Sequence, residues 1–287
     1  MSEAYSLQIA GHVLSISGNV VPDIVANMHA FSVFCTNLPA QWEVVFLPDV
    51  QTKVFNTLHT FDLEQYTCTY GNIGDIEILQ IALPDSTFPP FYLNYRRGGN
   101  RVEATQTTDT TVLRFALWFA FNLLAVPHGL FAIHSSTVVC GGRANLFLGE
   151  SGTGKSTHTC LWLNNIDGAK LLNDDSPIIA VESSDTVMVY GSPWSGKTPC
   201  YHNLGFPVNG FVRLRQELSN NIHKLRPLQG FTALQPSTPP ALSYSSYYSS
   251  KIISLLDVIM QRCPVYQLGC LPNAEAALLS YNTLYNN

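Results

Sequence analysis

Short runs of alternating apolar and polar residues dominate the N-terminal third of the chain. His12–Ile16, Trp42–Phe46 and Ile76–Gln80 follow this period of two, and Pro, Asn and Gly residues separate them. Such alternation is typical of β-strands with one buried face. The polar, turn-like segment Tyr95–Arg101 comes next, and we place the domain boundary there. The pattern therefore predicts a smaller β-rich N-terminal domain over residues 1–104.

A long apolar run opens the remainder of the chain. It extends from Val112 to Val126 and contains Arg114 and Asn122. A membrane-spanning helix needs about 20 predominantly apolar residues. The run is too short and too polar to span a bilayer comfortably, so we predict a buried helix that starts near Thr110.

Helical and strand-like segments alternate after this run. The predicted helices are Lys155–Asn165, Lys251–Arg262 and Ala274–Tyr285, and the predicted strands are Phe131–Cys140, Asn145–Gly149, Lys170–Asn173, Pro177–Glu182 and Thr186–Tyr190. The first two strands form a hairpin across Gly141 and Gly142. Residues 232–250, rich in Pro, Ser and Tyr, are expected to form a long surface loop or lid. We predict an α/β domain with a mixed sheet over residues 105–287.

The composition is that of a folded, largely apolar protein. Of its residues 46% are hydrophobic and 12% charged, and the mean hydropathy is +0.10. The net charge is −5, and no run of Lys or Arg supplies a local positive field, so nucleic acid binding is not expected. The seven cysteines are an odd set without a C-x-x-C pair, which predicts reduced thiols rather than disulfides or a zinc site.

The N-terminal segment lacks the basic region and apolar core of a secretory signal. We therefore expect a cytoplasmic protein that does not associate with a membrane.

The strongest chemical signal is a glycine-rich loop between a predicted strand and a predicted helix. Its sequence fits the pattern G-x-x-x-x-G-K-[ST], known as Walker A, in which backbone N–H groups surround a phosphate at a helix N-terminus. The residues expected to bind ATP are Gly149, Glu150, Ser151, Gly152, Thr153, Gly154, Lys155, Ser156 and Thr157. Lys155 would reach the β- and γ-phosphates, and Ser156 would offer its hydroxyl to Mg²⁺.

Two adjacent aspartates, Asp174 and Asp175, follow the short apolar pair Leu171-Leu172. Phosphoryl transfer requires one carboxylate near the metal ion and another that accepts the proton of the attacking hydroxyl. Adjacent residues of an extended chain point to opposite sides, so the two aspartates are able to divide these roles. The sequence does not decide which does which. We assign Asp175, together with Ser156, to the metal ion.

The order of a histidine, a hairpin, the glycine loop and an aspartate pair resembles the HPr kinase and phosphoenolpyruvate carboxykinase superfamily, over roughly residues 125–215. The resemblance implies a phosphate-binding-loop kinase domain that uses ATP and Mg²⁺. It also implies that Lys155 and the aspartates are catalytic, and that His134, on a strand, lies near the γ-phosphate.

The chain also departs from HPr kinases, because the glutamate-arginine signature that follows their aspartates has no counterpart here. In its place stands the segment Tyr190–Lys197, similar to segments of uncharacterised HPr-kinase-like proteins. We assign Trp194, Ser195 and Lys197 to the acceptor side, although a plain surface turn would explain them equally well. Arg213 and Arg215 share one face of a predicted strand, and plain solvent exposure of that face explains both. Alternatively, either would clamp an anion, and Arg213 is the acceptor-side choice.

The leading hypothesis is therefore an ATP-dependent kinase, a phosphotransferase whose acceptor is a hydroxyl. The acceptor would be a serine of a protein or peptide, or a small metabolite. The alternative is a nucleotide-responsive binding module without turnover. A phosphoenolpyruvate carboxykinase ranks lower because the chain is short and its ligand set is missing, and short strands after Asp175 argue against a motor-type NTPase. The sequence does not predict the oligomeric state.

Overall fold

The structure, a computed structural model, describes residues 4–50, 52–84, 87–182, 184, 186–196 and 198–286. The fold is mixed α/β, as the sequence predicts, and it consists of two compact units. One unit comprises the chain up to His128 together with Ala241–Ser249, and the other comprises Gly129–Pro240 together with the chain from Ser250 onward. The division predicted after residue 104 differs from this one, because the first unit also contains residues 105–128 and Ala241–Ser249.

An eight-stranded mixed sheet forms most of the first unit. Its strands are β1 (Tyr5–Ile9), β2 (His12–Ser17), β3 (Trp42–Leu47), β4 (Asn56–Leu63), β5 (Tyr66–Ile73), β6 (Ile76–Ala82), β7 (Phe91–Arg96) and β8 (Arg101–Thr105). Their spatial order is β1-β2-β3-β8-β7-β6-β5-β4. Only β2/β3 and β3/β8 are parallel pairs within the described sheet. In β3, Trp42, Val44 and Phe46 are buried and alternate with more exposed residues, so one face lies in the core.

The segment Tyr95–Arg101 is not a linker between domains. It is the end of β7, a turn and the start of β8, and these two antiparallel strands form a hairpin in the first sheet. Gly98 in the turn has a φ of 76°, a left-handed conformation that favours glycine. The polar composition of the segment is therefore explained by a hairpin turn.

Three helices accompany this sheet: α1 (Val21–Ala26), α2 (His29–Ser32) and α3 (Thr110–Ala125), the last followed by a short 3-10 turn at Val126–His128. Asp109 caps α3 by accepting hydrogen bonds from the backbone N–H groups of Thr111 (2.8 Å) and Val112 (3.0 Å). The stretch Thr110–His128 has the length and hydropathy of a membrane span, but a buried core helix passes the same test. In the structure 67% of its most apolar window is buried, which agrees with the predicted buried helix.

A nine-stranded mixed sheet forms the second unit. Its strands are β9 (Leu130–Ala132), β10 (Ser135–Cys140), β11 (Arg143–Leu148), β12 (Lys170–Asp175), β13 (Ile178–Val181), β14 (Val187–Tyr190), β15 (Gly205–Gln216), β16 (Asn221–Lys224) and β17 (Val265–Cys270). The helices of the C-terminal half are α4 (Lys155–Asn165), α5 (Pro227–Leu234), α6 (Ser246–Arg262) and α7 (Ala274–Tyr285), with 3-10 turns at Gln235–Ser237 and Ala241–Tyr244. Strand β15 is parallel to β11 and to β17.

The predicted strand Phe131–Cys140 is wrong as a single element, because the chain breaks at Ile133 and His134. β9 pairs with β13, whereas β10 pairs with β11 and β12. At the break, the N–H of Ile133 donates to the carbonyl of Pro177 (2.9 Å) and that of His134 to the carbonyl of Ser237 (2.7 Å). These bonds satisfy the backbone outside the strand ladder, so His134 lies between two strands rather than on one.

The predicted surface loop or lid at residues 232–250 is also wrong. The segment contains the end of α5, two 3-10 turns and the start of α6. Leu234, Leu242 and Tyr248 are 0% exposed. The Tyr248 hydroxyl donates to the carbonyl of Leu123 at 3.0 Å. Burial of these apolar and aromatic side chains outweighs the turn-forming tendency of the Pro and Ser residues around them.

A buried ion pair ties part of this segment to the first sheet. Glu77 is 0% exposed and accepts hydrogen bonds from Arg97 Nε (2.6 Å), from the hydroxyl of Tyr70 and from Ser245 Oγ (3.3 Å). The Arg97 guanidinium also lies 5.1 Å from the ring centroid of Tyr247. Every partner of the carboxylate is therefore a donor, as a buried charge requires.

We expect Glu77→Ala to lower the free energy of unfolding by about 3 kcal/mol or more, because Arg97 would keep a largely buried charge without its carboxylate. Asp75→Ala is the matched control. Asp75 pairs with Arg96, and both side chains are more than half exposed, so its removal should cost at most about 1 kcal/mol. Urea denaturation measures both, and equal losses in the two variants would contradict the buried network.

Candidate phosphate-binding site

The glycine-rich loop connects the end of β11 at Leu148 to the start of α4 at Lys155. Gly154, which precedes the helix, has a φ of 100°, a left-handed conformation that an L-residue with a side chain rarely adopts. At Gly149 a Cβ atom would lie 2.3 Å from Thr153 Oγ1, so the loop has room only for glycine there. Thr153 Oγ1 in turn donates to the carbonyl of Glu150 at 2.8 Å. These contacts fold the loop back on itself ahead of the helix N-terminus.

Lys155 lies inside this loop. Its Nζ donates to the carbonyl oxygens of Gly149 (2.8 Å) and Glu150 (3.2 Å). Burial lowers the pKa of the Lys155 ammonium, and the carboxylates of Asp175 and Asp174 oppose that change. The ammonium is therefore held at the loop, within electrostatic reach of both aspartates. Ser151, Ser156 and Thr157 are exposed.

Asp174 lies beside the loop because β12 pairs with β10, the strand that forms a hairpin with β11. In the β10/β12 pair Asp174 is opposite Ser136. Ser156 Oγ donates to Asp174 Oδ1 (3.1 Å) and Oδ2 (3.2 Å). Asp174 is only 6% exposed. The structure thus brings Ser156 to Asp174, whereas the sequence analysis placed Ser156 with Asp175.

Asp175 faces His134 instead. His134 Nδ1 lies 3.5 Å from Asp175 Oδ1, and Ser176 Oγ donates to Asp175 Oδ2 at 3.0 Å. Although 43% of the His134 side chain is exposed, its Nε2 is buried, and no hydrogen-bond partner for it lies within the described part of the chain. Burial and the charge of Lys155 lower the pKa of His134, and Asp175 opposes them. The imidazole is therefore held largely in its neutral form at pH 7.

Asn173 positions the aspartate pair, a role that the sequence analysis missed. Its Oδ1 accepts hydrogen bonds from the backbone N–H groups of Asp175 (3.1 Å) and Ser176 (2.9 Å), and its Nδ2 donates to the carbonyl of Trp194 (3.1 Å). Asn173 is 0% exposed. By composition, an asparagine next to two aspartates suggests a turn. Only its hydrogen bonds in the structure show that it links the aspartate pair to the segment at Trp194.

The segment after β14 packs along β12 and is joined to it by the hydrogen bonds of Asn173. The N–H of Gly196 donates to the carbonyl of Asp174 at 2.8 Å, and a Cβ at Gly196 would lie 2.7 Å from that oxygen. Trp194 and Ser195 are buried (5% and 8% exposed), and Ser195 Oγ donates to the carbonyl of Thr198 at 2.6 Å. Both residues therefore belong to the buried segment that packs against β12, the strand that carries Asp174 and Asp175. Lys197, assigned to the acceptor side, lies outside the described residues.

Arg213 on β15 lies on the other side of the loop. Its Nη1 donates to the carbonyl of Ala233 (3.2 Å), its Nη2 lies 3.7 Å from Glu150 Oε1, and its side chain is 17% exposed. Burial lowers the pKa of this guanidinium, and Glu150 opposes the change. Arg215 is exposed. Only Arg213 of the two strand arginines therefore belongs to the site.

The residues suit a magnesium ion, although they do not form a complete metal cage. No cluster of three or more His, Cys, Asp or Glu side chains able to hold a metal occurs among the described residues. Mg²⁺ sites in phosphoryl transfer usually combine one or two carboxylates with substrate phosphates and water. The hydroxyl of Ser156 and the carboxylate of Asp174, already in contact, are hard oxygen ligands of that kind.

Helix α4 is anchored to α7 by a buried histidine. His158 is 3% exposed, its Nε2 lies 3.1 Å from Ser280 Oγ, and Trp162 Nε1 donates to the same oxygen at 2.9 Å. Burial lowers the pKa of His158 to about 4. The anchor therefore contains a neutral imidazole at pH 7.

We expect this histidine to make stability depend on pH. The unfolded chain binds its proton below about pH 6.5, and the folded protein only near pH 4. The neutral imidazole therefore makes its full contribution to the free energy of unfolding above pH 6.5. This contribution decreases by roughly 3 kcal/mol as the pH falls from 6.5 to 4. The free energy of unfolding, measured by urea denaturation, should fall less steeply with decreasing pH in His158→Gln than in the control His223→Gln, which changes an exposed histidine. Equal slopes in the two variants would contradict the assignment.

Comparison with known proteins adds little to this geometry. No protein-family model matches the chain. No curated protein matches it either. Among solved structures, the chain is similar to the HPr(Ser) kinase/phosphatase from Coxiella burnetii, with 12% identity and a TM-score of 0.33, over 54% of this chain and 88% of that one. So low a similarity carries no argument about activity, and the resemblance to HPr kinases stays an interpretation of the motifs.

Proposed function

We propose that this protein binds ATP with Mg²⁺ at the loop Gly149–Ser156 and transfers the γ-phosphoryl group to a hydroxyl acceptor. One observation carries the proposal: the hydroxyl of Ser156 contacts the carboxylate of Asp174. A loop serine and a strand-end aspartate that share one metal ion are the recurring arrangement of phosphate-binding-loop enzymes. These two side chains are 18 residues apart in sequence, and the fold brings them together.

The loop supports the nucleotide half of this proposal. Its glycines leave the backbone accessible, and the N-terminus of α4 favours a negative charge. Lys155 would leave the carbonyl oxygens of Gly149 and Glu150, which it now contacts, and stabilise the charge on the transferring phosphoryl group. A bound Mg²⁺ ion would neutralise phosphate charge, and Ser156 and Asp174 would hold it.

Asp175 is the proposed general base. It is 38% exposed, so an acceptor hydroxyl is able to approach, while Asp174 is occupied with Ser156. The proton of the acceptor hydroxyl would move to a carboxylate oxygen of Asp175 as the acceptor oxygen bonds to the γ-phosphorus. The bond between the γ-phosphorus and the bridging oxygen would break, and ADP would leave. His134 is held neutral beside Asp175, so it does not itself form an ion pair that would weaken that carboxylate as a base.

The acceptor is proposed to be a serine of a protein or peptide, or a small hydroxylated metabolite. Arg213, which lies next to Glu150 of the loop, would hold an anionic group of the nucleotide or of the acceptor. Trp194 and Ser195 act indirectly, by supporting the strand that carries the aspartates.

Calorimetric titration with ATP and Mg²⁺, followed by incubation with γ-labelled ATP and an extract of the source cells, tests the proposal. Binding together with a labelled product would support a kinase and identify the acceptor class. Binding with neither transfer nor hydrolysis would favour the nucleotide-responsive module. No binding would overturn the assignment of the loop.

A further inference from the structure

A second concave site lies in the second unit, which also contains the glycine-rich loop. It is formed by β16, the start of α5, the end of α6 and the start of β17. It is a cleft of about 1020 Å³, a volume at the upper end of the range for small-molecule sites. Six of its lining residues determine its chemical character: His223, Lys224, Arg226, Met260, Arg262 and Val265. The proposed phosphate site uses none of them.

The lining of the cleft is basic, although the protein as a whole is acidic. Lys224, Arg226 and Arg262 contribute three positive charges, with His223 beside them, against one carboxylate among the described lining residues, that of Asp257. The whole chain has only 15 Lys and Arg residues and a net charge of −5. Such a local excess favours a negatively charged ligand.

Two of these charges have no carboxylate partner among the described residues. Within the described ranges, neither Lys224 nor Arg226 forms an ion pair. Asp257, the acid of the cleft, accepts a hydrogen bond from Gln261 Nε2 at 2.9 Å. The ammonium and the guanidinium are therefore available to an anion from outside.

The inner wall of the cleft is apolar. Val265 is 5% exposed, Cys263 is 4% exposed, and Met260 lines the same wall. Gly230 of α5 deepens the cleft, because a Cβ atom there would lie 3.4 Å from Met260 Sδ. An apolar wall with cations near it matches a ligand that has an apolar body and a charged end.

We propose that this cleft binds a small organic anion, a phosphate or carboxylate attached to an aromatic or aliphatic body. The anionic end lies between Lys224 and Arg226, and the apolar body lies against Met260 and Val265. The site is separate from the nucleotide site, so the inference does not depend on the proposed kinase activity.

Calorimetric titration of the full chain with phenyl phosphate tests the inference. The titration uses Lys155→Ala protein, so that the glycine loop does not contribute to phosphate binding. We expect binding in this background and a loss of about tenfold in affinity for each charge removed by Lys224→Gln and Arg226→Gln. Lys170→Gln, which changes an exposed lysine at the start of β12, should leave the affinity unchanged.

A further variant tests the apolar wall. Gly230→Ala adds a methyl group to the cleft and favours the helix, so it should fold and bind phenyl phosphate several-fold more weakly than the parent. Inorganic phosphate should bind more weakly than phenyl phosphate in every protein. Absence of phenyl phosphate binding, equal affinity in the charge variants, or equal affinity for the two phosphates would overturn the proposal.

Discussion

Replacement of Lys155 by Ala is expected to reduce phosphoryl transfer by about 10³-fold and to weaken ATP binding. The ammonium contacts the carbonyl oxygens of Gly149 and Glu150 in the glycine loop, and the proposed function assigns it to the γ-phosphate. Without it, the negative charge that develops in transfer would depend on Mg²⁺ and the backbone N–H groups alone.

Single-turnover transfer from γ-labelled ATP and calorimetric ATP binding measure this effect. Lys170→Ala is the matched control, because it removes an exposed lysine of the same unit. Unchanged nucleotide affinity in Lys155→Ala, together with retained transfer, would show that the loop is not the phosphate site.

Substitutions of the two aspartates should lower phosphoryl transfer for different reasons. Asp175→Asn removes the proposed base, so it should lower the transfer rate by about 10²- to 10⁴-fold while ATP binding remains. Asp174→Asn removes the carboxylate that contacts Ser156, so it should raise the Mg²⁺ concentration needed for half-maximal activity and weaken Mg²⁺-dependent ATP binding. Both substitutions keep the size of the side chain.

Transfer rates measured over a range of Mg²⁺ concentrations separate the two roles. Asp167→Asn, at an exposed position after α4, controls for the loss of one negative charge. Full activity in both aspartate variants would refute the base and metal assignments, and a Mg²⁺ shift in Asp175→Asn alone would reverse them.

Local sequence was sufficient for the elements whose boundaries are chemically marked. The helices Lys155–Asn165 and Ala274–Tyr285 begin and end in the structure where the sequence predicts. The first follows a glycine that ends the loop, and the second follows Asn273, whose side chain accepts a hydrogen bond from the N–H of Ala276. Caps and glycines act over a few residues, so they are visible in one segment alone.

Tertiary contacts decided two of the segments that were predicted wrongly. The break at His134 depends on backbone partners at Pro177 and Ser237, which are distant in sequence. The helical turns around Leu242 and Tyr248 depend on burial that a composition rich in Pro and Ser does not reveal. In both cases long-range packing overrode local propensity.

In the candidate site, too, local sequence signals predicted some features, and others depended on long-range contacts. The sequence identified the loop and the aspartate pair, because their spacing is local. It did not distinguish Asp174 from Asp175, since the partners that separate them, Ser156 and His134, come from other elements. The bracing role of Asn173 also depends on the distant Trp194.

The contribution of Ala241–Ser249 to the first unit has a consequence for how the protein is made. Ser245 donates to Glu77, and Tyr248 donates to the carbonyl of Leu123. These contacts cannot form on the ribosome until the chain beyond residue 249 has emerged. The N-terminal part of the first unit therefore stays incomplete while residues 129–240 are translated, with the Glu77 carboxylate only partly satisfied, and a fragment that stops before residue 241 lacks these contacts.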